Sequence, residues 1–342
     1  MRQLIFLSLL LLLFASGFAQ ALPIRDSSNL SCRQKAGRLL DETLAFMEKS
    51  YYRRNEVSWP VLAAEAKARL REAASCEDAY STISWCFHQL NEPHSFIMPP
   101  DKASRYTGEA EGPDQPMPDL KDLVGEIRGE WLQDSIAYIT IPWVSTTDSL
   151  VCLRIADSLQ TLIARLDSRN VSRWIIDLRR NSGGNCWPML AGIGPLLGEG
   201  VFGYFVSGDQ RVPITYRNGS ACQGRHTICR VSNNGYRTRS DRKSIVVLTS
   251  HKTVSAGELV ALAFKGRAQT CLIGEPTAGL TTANTTYTLS DKSMLVLTIC
   301  QEADHKGNIC TGSVQPDRLV VTAQAGPDDP ARSAALAWLQ GQ

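Results

Sequence analysis

Apolar residues recur every three or four positions through the first part of the chain. The segments "CRQKAGRLLDETLAFMEKSYY", "SWPVLAAEAKARLREAA" and "CEDAYSTISWCFHQL" share this spacing, which is typical of amphipathic helices. We therefore predict three helices between residues 30 and 92. The next segment, "NEPHSFIMPP", cannot be helical through its prolines. Residues 101–126 are polar and rich in turn-forming residues, which predicts a loop or linker.

The pattern changes near residue 130. The segments "SIAYITIPWV", "RWIIDLR" and "SIVVLTS" have the composition of buried strands, and "DSLVCLRIADSLQTLIARLDS" and "WPMLAGIGPLLG" between them have helical spacing. Alternation of strands and helices indicates a layered α/β fold. The segments "TTYTLSD" and "KSMLVLTIC" predict a hairpin, and "DPARSAALAWLQ" predicts a closing helix. We expect a helical subdomain at 22–100, a linker at 101–130 and an α/β core at 131–342.

The N-terminal segment "MRQLIFLSLLLLLFASGFAQA" has one positive charge, an apolar run and small residues at Ala19 and Ala21. This pattern predicts a secretory signal peptide over residues 1–21. The alternative is an uncleaved membrane anchor, for which the run from Leu4 to Phe14 is short, since a span needs about 20 residues. No later segment is apolar enough to cross a membrane. We expect an exported protein of the periplasm, cell envelope or extracellular space, with no stable anchor after cleavage.

The net charge and the cysteine content narrow the classes of partner and of site that this chain can have. The net charge is +2 and no Lys/Arg-rich run occurs, so no nucleic-acid partner is expected. The ten cysteines form an even set, which after a signal peptide suggests disulfides. The closest pairs, Cys222/Cys229 and Cys300/Cys310, are the disulfides we expect first, because each could link the two strands of a hairpin. The chain has no Cys-x-x-Cys pair and no recognisable ligand spacing of His and Asp residues, so no metal site is predicted. No cofactor is predicted either.

A glycine pair follows the strand that ends "IIDLR". In "IIDLRRNSGGN", Gly183 and Gly184 lie between that strand and a predicted helix. Backbone N–H groups there can converge on an anion or an oxyanion. A plain tight turn is the simpler interpretation of the pair alone. The segment is neither a Walker loop nor a Gly-x-Gly-x-x-Gly dinucleotide motif.

Two residues could form a nucleophile and its base. Ser255, in "VSAGE", lies where an apolar strand gives way to a helix. A serine there is usually an N-cap, but a nucleophile at this position would benefit from the helix dipole, with the Ala256 N–H aimed at the oxyanion. His94 lies in a proline-flanked loop, where a surface role is the simpler alternative. His251, four residues before Ser255, is the rival base.

Five motifs in order resemble one family. They are "EPHS", "DLRRNSGG", "VSAGE", "IGEPTAG" and "GSVQPD". Their order and distances are similar to those of the tail-specific, or carboxy-terminal processing, serine peptidases and their tricorn-core relatives, over about residues 35–323. The resemblance implies a ClpP/crotonase-like α/β core behind a helical subdomain. It also implies Ser255 as nucleophile, with Gly183 or Gly184 and the Ala256 N–H as oxyanion donors.

The chain departs from the family pattern at the base. Many members place a lysine 25 residues after the serine, where this chain has Leu280. Tricorn-type members use a histidine from the earlier loop, which matches His94. Their supporting glutamate falls at Cys310 here, so the residue that orients His94 stays open. The candidates to orient His94 are Glu92, Glu275 and Asp304, and none of them is favoured over the others. Residues 101–130 are too few for the PDZ domain that many members carry.

These features predict a secreted serine-type endopeptidase that acts on peptides or loosely folded chains. The alternative is a non-catalytic peptide-binding member that keeps the cleft but has lost the lysine and the glutamate. Another acyl-transfer activity on the same scaffold is the third possibility. The sequence does not predict the oligomeric state.

Overall fold

The structure is a computed structural model that describes residues 31–71, 75, 77–108, 120–132, 136–169, 171–321 and 329–342. The predicted signal peptide, residues 1–21, lies outside the described residues. Within the described residues no helix is both long and apolar enough to cross a membrane.

The described helices are α1 (Cys32–Ser50), α2 (Trp59–Leu70), α3 (Asp78–Gln89), α4 (Pro100–Thr107), α5 (Leu120–Leu123), α6 (Ser149–Leu166), α7 (Cys186–Leu197), α8 (Ala256–Phe264) and α9 (Pro330–Gln340). The described strands are β1 (Phe96–Met98), β2 (Gly129–Leu132), β3 (Ile136–Thr140), β4 (Arg173–Asp177), β5 (Gly200–Ser207), β6 (Gln210–Arg217), β7 (Ser220–Gln223), β8 (His226–Arg230), β9 (Ser244–Thr249), β10 (Thr270–Gly274), β11 (Thr282–Thr288), β12 (Met294–Ala303) and β13 (Arg318–Leu319).

A mostly parallel sheet forms the centre of the α/β core. Its strand order is β13-β10-β9-β4-β3-β2, and all neighbours are parallel except β2 and β3. Its central strands are buried on both faces, since α6, α7 and α8 contribute to one apolar core and α9 to another. Burial on both sides explains the nearly continuous apolar runs of β4 and β9.

An antiparallel sheet of order β1-β12-β5-β6-β7-β8, with β11 also paired to β12, lies beside the first. Strand β12 is shared between two apolar cores. Leu295 and Leu297 pack with α1, α2 and α3, whereas Cys300 joins the core of α6, α7 and α8. The N-terminal helices therefore rest on the same strand that continues into the main core.

The α/β fold with an N-terminal helical region is confirmed, and each predicted helix and strand above lies within a few residues of its predicted position. The loop predicted over residues 101–126 is wrong near both ends, because α4 occupies Pro100–Thr107 and α5 occupies Leu120–Leu123. Proline is accommodated in the first helical turn, and Gly108 with a φ of 76° ends the helix in a left-handed conformation.

The two predicted disulfides are not formed. Eight described cysteines are free thiols, and they include all four cysteines of the two predicted pairs. An irregularity in the β7–β8 pairing places Cys222 opposite Thr227, and Cys229 opposite Ala221. Sγ of Cys222 accordingly lies 3.6 Å from Oγ1 of Thr227. The register of the hairpin thus separates the two thiols.

Candidate active site

The side chains of His94 and Ser255 meet although they are 161 residues apart in sequence. Nε2 of His94 lies 2.8 Å from Oγ of Ser255, within the range for a base and its nucleophile. His94 follows α3 on the loop to β1 and is 7% exposed. The pair can pass the hydroxyl proton from serine to imidazole.

Ser255 has an unusual backbone conformation. It precedes α8 with φ 51° and ψ −114°, a region that a residue with a Cβ occupies at a cost of about 1–3 kcal/mol. A sharp strand-to-helix turn of this kind presents the side chain outward, as in nucleophile elbows. The Ser255 hydroxyl is turned toward the ring of His94.

The side chain of Glu258 stabilises this turn through hydrogen bonds. Its side chain is fully buried and accepts the Ser255 N–H at 2.8 Å. It also accepts the N–H groups of Gly279 at 2.7 Å and Leu280 at 2.8 Å, and the Thr277 hydroxyl at 2.5 Å. One carboxylate therefore ties the candidate nucleophile to the segment after β10, and four donors offset the penalty of burying it.

The second ring nitrogen of His94 contacts a hydroxyl. Nδ1 lies 2.7 Å from Oγ1 of Thr282, at the start of β11. For Nε2 to accept the serine proton, Nδ1 must carry the ring hydrogen and donate it to Thr282. Thr282 thus occupies the position of a residue that can orient the imidazole, and sequence analysis missed it because nothing in the local sequence marks it.

The three carboxylates considered for that role lie elsewhere. Glu92 holds the loop backbone, because its Oε1 accepts the N–H of His94 at 3.0 Å. Glu275 accepts from the ring of His251 at 3.0 Å, and Asp304 accepts N–H groups of its own turn. The His251 side chain is 70% exposed, so the rival base faces solvent.

Burial lowers the pKa of His94 from its usual 6.5 to about 4. Desolvation disfavours the charged imidazolium, and no carboxylate of the described residues contacts the ring to oppose that effect. The imidazole is neutral at neutral pH, which is the form that accepts a proton.

The two glycines play different structural roles. The Gly183 N–H donates to Oδ1 of Asn181 at 2.9 Å, so it is already used inside the loop. The N–H groups of Gly184 and Ala256 have no hydrogen-bond acceptor among the described residues. Gly184, Ser255 and Ala256 also line one cleft. This favours Gly184 over Gly183 as the partner of Ala256 in an oxyanion site.

The cleft has a volume of about 850 Å³, within the range of small-ligand sites. Its walls come from the His94 loop, the glycine loop, the Ser255 turn and strands β5, β7, β8, β11 and β12. A segment of peptide can therefore lie across Ser255 with its side chains against several elements.

The model of "Peptidase family S41" matches residues 135–320, which is more than half of the chain. The chain belongs to peptidase family S41. Membership supports a peptidase role and agrees with the resemblance drawn from the five motifs.

A nisin-resistance protein from Lactococcus lactis subsp. lactis is 31% identical to this S41 chain over 213 residues, which are 62% of each protein. The match thus spans less than two thirds of that relative. A lipoprotein from Streptococcus agalactiae has a similar structure, with a TM-score of 0.70, 22% identity, and 94% and 99% of the two chains covered. The photosystem II D1 C-terminal processing protease follows, with a TM-score of 0.54, 16% identity, and 84% and 93% covered. Both structural likenesses concern the fold.

This S41 chain differs from the lysine-using members at a defined place. Leu280 lies in the cleft wall, and its N–H is held by Glu258. At Cys310, where the family resemblance predicts a glutamate, Sγ lies 3.8 Å from the Gly312 carbonyl oxygen. Neither residue supplies a carboxylate or an amine to Ser255.

Proposed function

We propose that this chain is a serine-type endopeptidase in which Ser255 is the nucleophile and His94 the general base. The Oγ–Nε2 hydrogen bond of 2.8 Å is the observation that carries the proposal. Ser255 Oγ attacks the peptide carbonyl carbon while Nε2 takes the hydroxyl proton. The protonated imidazole then gives that proton to the leaving amine, and water releases the acyl group by the reverse sequence.

The carbonyl oxygen gains negative charge as the tetrahedral intermediate forms. The unused N–H groups of Gly184 and Ala256 are the proposed donors to it. Ala256 begins α8, so its N–H also carries the positive end of the helix dipole. Removing one such donor typically slows turnover about 10²–10³-fold.

A non-catalytic peptide-binding protein is the second candidate. The observation that favours it is the neutral Thr282 hydroxyl behind His94, where a carboxylate would stabilise the imidazolium. A weak base would leave the cleft able to bind peptides without cleaving them.

Labelling with a serine-reactive phosphonate separates the two candidates. An endopeptidase gives an adduct on Ser255 that Ser255→Ala abolishes, together with a loss of peptide turnover of about 10⁶-fold. His94→Ala should weaken both readouts nearly as much, and the double variant should be little worse than either single one. Peptide binding by the wild-type protein with neither adduct nor turnover would establish the binding protein instead.

The substrate class we propose is peptides or loosely folded chains. The relative from Lactococcus lactis subsp. lactis is named for nisin resistance, which makes nisin the first peptide to test. Incubation of nisin with the wild-type protein and with Ser255→Ala, followed by mass spectrometry, should show fragments with the wild type alone. Intact nisin in both samples would remove it as a substrate.

We further propose export of the chain through the signal peptide at residues 1–21. The apolar run and the small residues before the cleavage position support this. N-terminal sequencing of protein from the native host should begin at Leu22. A chain that retains its first 21 residues in the membrane fraction would instead indicate an uncleaved anchor.

A further inference from the structure

A buried carboxyl group in the cleft has no role in the chemistry above. Glu302, on β12, is 3% exposed, and its Oε2 has no hydrogen-bond partner among the described residues. The same residue lines the cleft that contains Ser255. Native proteins rarely leave a buried oxygen without a donor, because a buried hydrogen bond that is not made destabilises the fold. An oxygen of this kind in a binding cleft indicates that a ligand supplies the donor.

The surroundings of Glu302 favour a donor with positive charge. Burial, and then the negative charge of Glu258, raise the pKa of the Glu302 carboxyl well above its usual value. The neighbouring thiols are also held neutral by burial, which raises the pKa of Cys300 to about 12 and that of Cys186 still further. The arrival of a cation beside Glu302 would favour ionisation of its carboxyl group.

Two aromatic side chains also line the cleft near Glu302. Phe205 on β5 is the cross-strand partner of Glu302, and its ring packs edge to face on Trp187 with 6.1 Å between centroids. Both aromatic residues line the cleft. Aromatic rings attract ammonium and guanidinium groups and pack on the methylene stem behind them.

The site lies close to the proposed catalytic pair. The Glu302 N–H donates to the Thr281 carbonyl oxygen at 3.2 Å, and the next residue, Thr282, holds the His94 ring. The strand that orients the base thus borders the residue with the unpartnered oxygen. A substrate residue that reaches Glu302 would lie near the bond presented to Ser255.

We propose that Glu302 is a specificity residue whose carboxyl group receives a basic side chain, lysine or arginine, of the peptide substrate. This assignment rests on the proposed peptidase function for its place beside the scissile bond. The basic group donates hydrogen bonds to Oε2 and forms an ion pair with Glu302, while its stem packs on Phe205 and Trp187.

A lysine scan of a peptide substrate tests the assignment. One lysine is moved through each position around the cleaved bond, and each peptide has partners with norleucine and citrulline at that position. At one position the wild-type protein should prefer lysine over norleucine by about 10–100-fold in kcat/KM, since norleucine leaves the buried Oε2 of Glu302 without a hydrogen-bond donor. Citrulline, which is uncharged, should resemble norleucine.

Variants of Glu302 should change the ratio. In Glu302→Gln the lysine-to-norleucine ratio should fall to near unity, and in Glu302→Leu it should invert. Glu126→Gln, an exposed site, is the matched control and should keep the wild-type ratio. A ratio near unity at every position in the wild type, or an unchanged ratio in either Glu302 variant, would overturn the assignment. If neither variant folds, a ratio near unity at every position in the wild-type scan still overturns the assignment.

A binding measurement separates failure of this assignment from failure of the catalytic proposal. In a Ser255→Ala background, calorimetry with the lysine and norleucine peptides should show tighter binding of lysine, and adding Glu302→Gln should abolish the difference. Binding of lysine should also release about one proton in the Ser255→Ala protein, because Glu302 ionises. These results would stand even if the wild-type protein has no turnover. Equal binding of both peptides would reject the basic-side-chain site while leaving Ser255 chemistry intact.

Discussion

The imidazole of His94 meets a hydroxyl group at each ring nitrogen, Ser255 at 2.8 Å and Thr282 at 2.7 Å. A threonine can accept the Nδ1 hydrogen and fix the ring, but it brings no negative charge to the imidazolium. The ring is therefore well placed and weakly basic. The pH dependence of the reaction should report that combination.

The rate should rise with pH through a step near 4. Burial lowers the pKa of His94 to about 4, and the base must be neutral to accept a proton. Protonation therefore removes activity only as the pH falls through that value, not through the usual 6.5. A profile of kcat/KM from pH 3 to 8, with circular dichroism at each pH to confirm folding, measures the step. A midpoint near 10 would indicate a lysine base instead.

Replacement of Thr282 should affect the chemical step. In Thr282→Val the Nδ1 hydrogen loses its acceptor, so the ring can turn away from Ser255, and we expect kcat to fall about 10–100-fold with KM little changed. Steady-state kinetics with a peptide substrate measures the split. Thr288→Val, on the same strand and exposed, is the matched control.

A carboxylate at the same position should have the opposite effect on basicity. Thr282→Asp places a negative charge beside Nδ1, which favours the imidazolium and should raise the midpoint of the pH profile. An unchanged midpoint in Thr282→Asp, together with full kcat in Thr282→Val, would show that Thr282 does not govern the base.

For individual residues of the site, the sequence predicted which residue types take part better than it predicted the contacts between them. Ser255 and His94 carry recognisable chemistry inside motifs, so both were candidates before their distance was known. Thr282 and Glu302 act through three-dimensional neighbours on β11 and β12, and neither differs locally from an ordinary strand residue. The register between paired strands decides their contacts, and the sequence of one strand alone does not determine that register.

Among the elements, the turn before α8 depends on Glu258 and on the glycine loop. Glu258 accepts four donors, one of which is the Ser255 N–H. Gly257 approaches the glycine loop so closely that a Cβ there would lie 2.8 Å from the Asn181 carbonyl oxygen. The helix start and the loop are thus packed backbone to backbone.

Glu258→Gln should destabilise the protein and slow turnover. A glutamine amide directs two N–H donors at groups that are themselves donors, which leaves buried hydrogen bonds unmade at about 1–3 kcal/mol each. Thermal unfolding and kcat measure the two effects. Glu65→Gln, at an exposed site of α2, should leave both unchanged. Wild-type stability in Glu258→Gln would mean that the four contacts contribute little.

Gly184→Ala should destabilise the loop as well as the oxyanion site. The added Cβ would lie 1.9 Å from the Val144 carbonyl oxygen, and Gly184 has a φ of 97°, so the backbone must shift. We expect a lower melting temperature together with a loss of turnover. Gly208→Ala, also at positive φ but with no atom within 4 Å of the added Cβ, controls for the conformational cost alone. Equal effects of the two substitutions would remove the special role of Gly184.

Element types were predictable where one physical signal dominated. Buried parallel strands such as β4 and β9 read as apolar runs because both faces are covered, and the long helices kept their spacing. The loop predicted at 101–126 failed at α4 because the short helix is mostly polar and is stabilised by packing: Ala103 contacts Met294 and Val296 of β12. Local composition does not report such distant contacts.

For the whole molecule, β12 joins the helical region to the catalytic cleft. Leu297 packs with α1, α2 and α3, and five residues later the same strand places Glu302 in the cleft wall. The N-terminal helices and the core should therefore unfold together.

Leu40→Ala tests this coupling. Leu40, on α1, is fully buried, so its truncation should lower the free energy of unfolding by about 2–5 kcal/mol. During heating, activity and native tryptophan fluorescence should be lost at the same temperature, both in the wild type and in Leu40→Ala. Val61→Ala, 54% exposed, is the control with little expected change. Activity that survives after the helices melt would show that the two regions are independent.

The separation of His94 from Ser255 by 161 residues has a consequence for the growing chain. The base emerges from the ribosome long before the nucleophile, and Thr282 and β12 emerge later still. A chain that stops short of residue 303 lacks part of the strand that supports the helices and the cleft. A chain released before that residue should therefore lack the proposed site, so the cleft can form only near the end of synthesis.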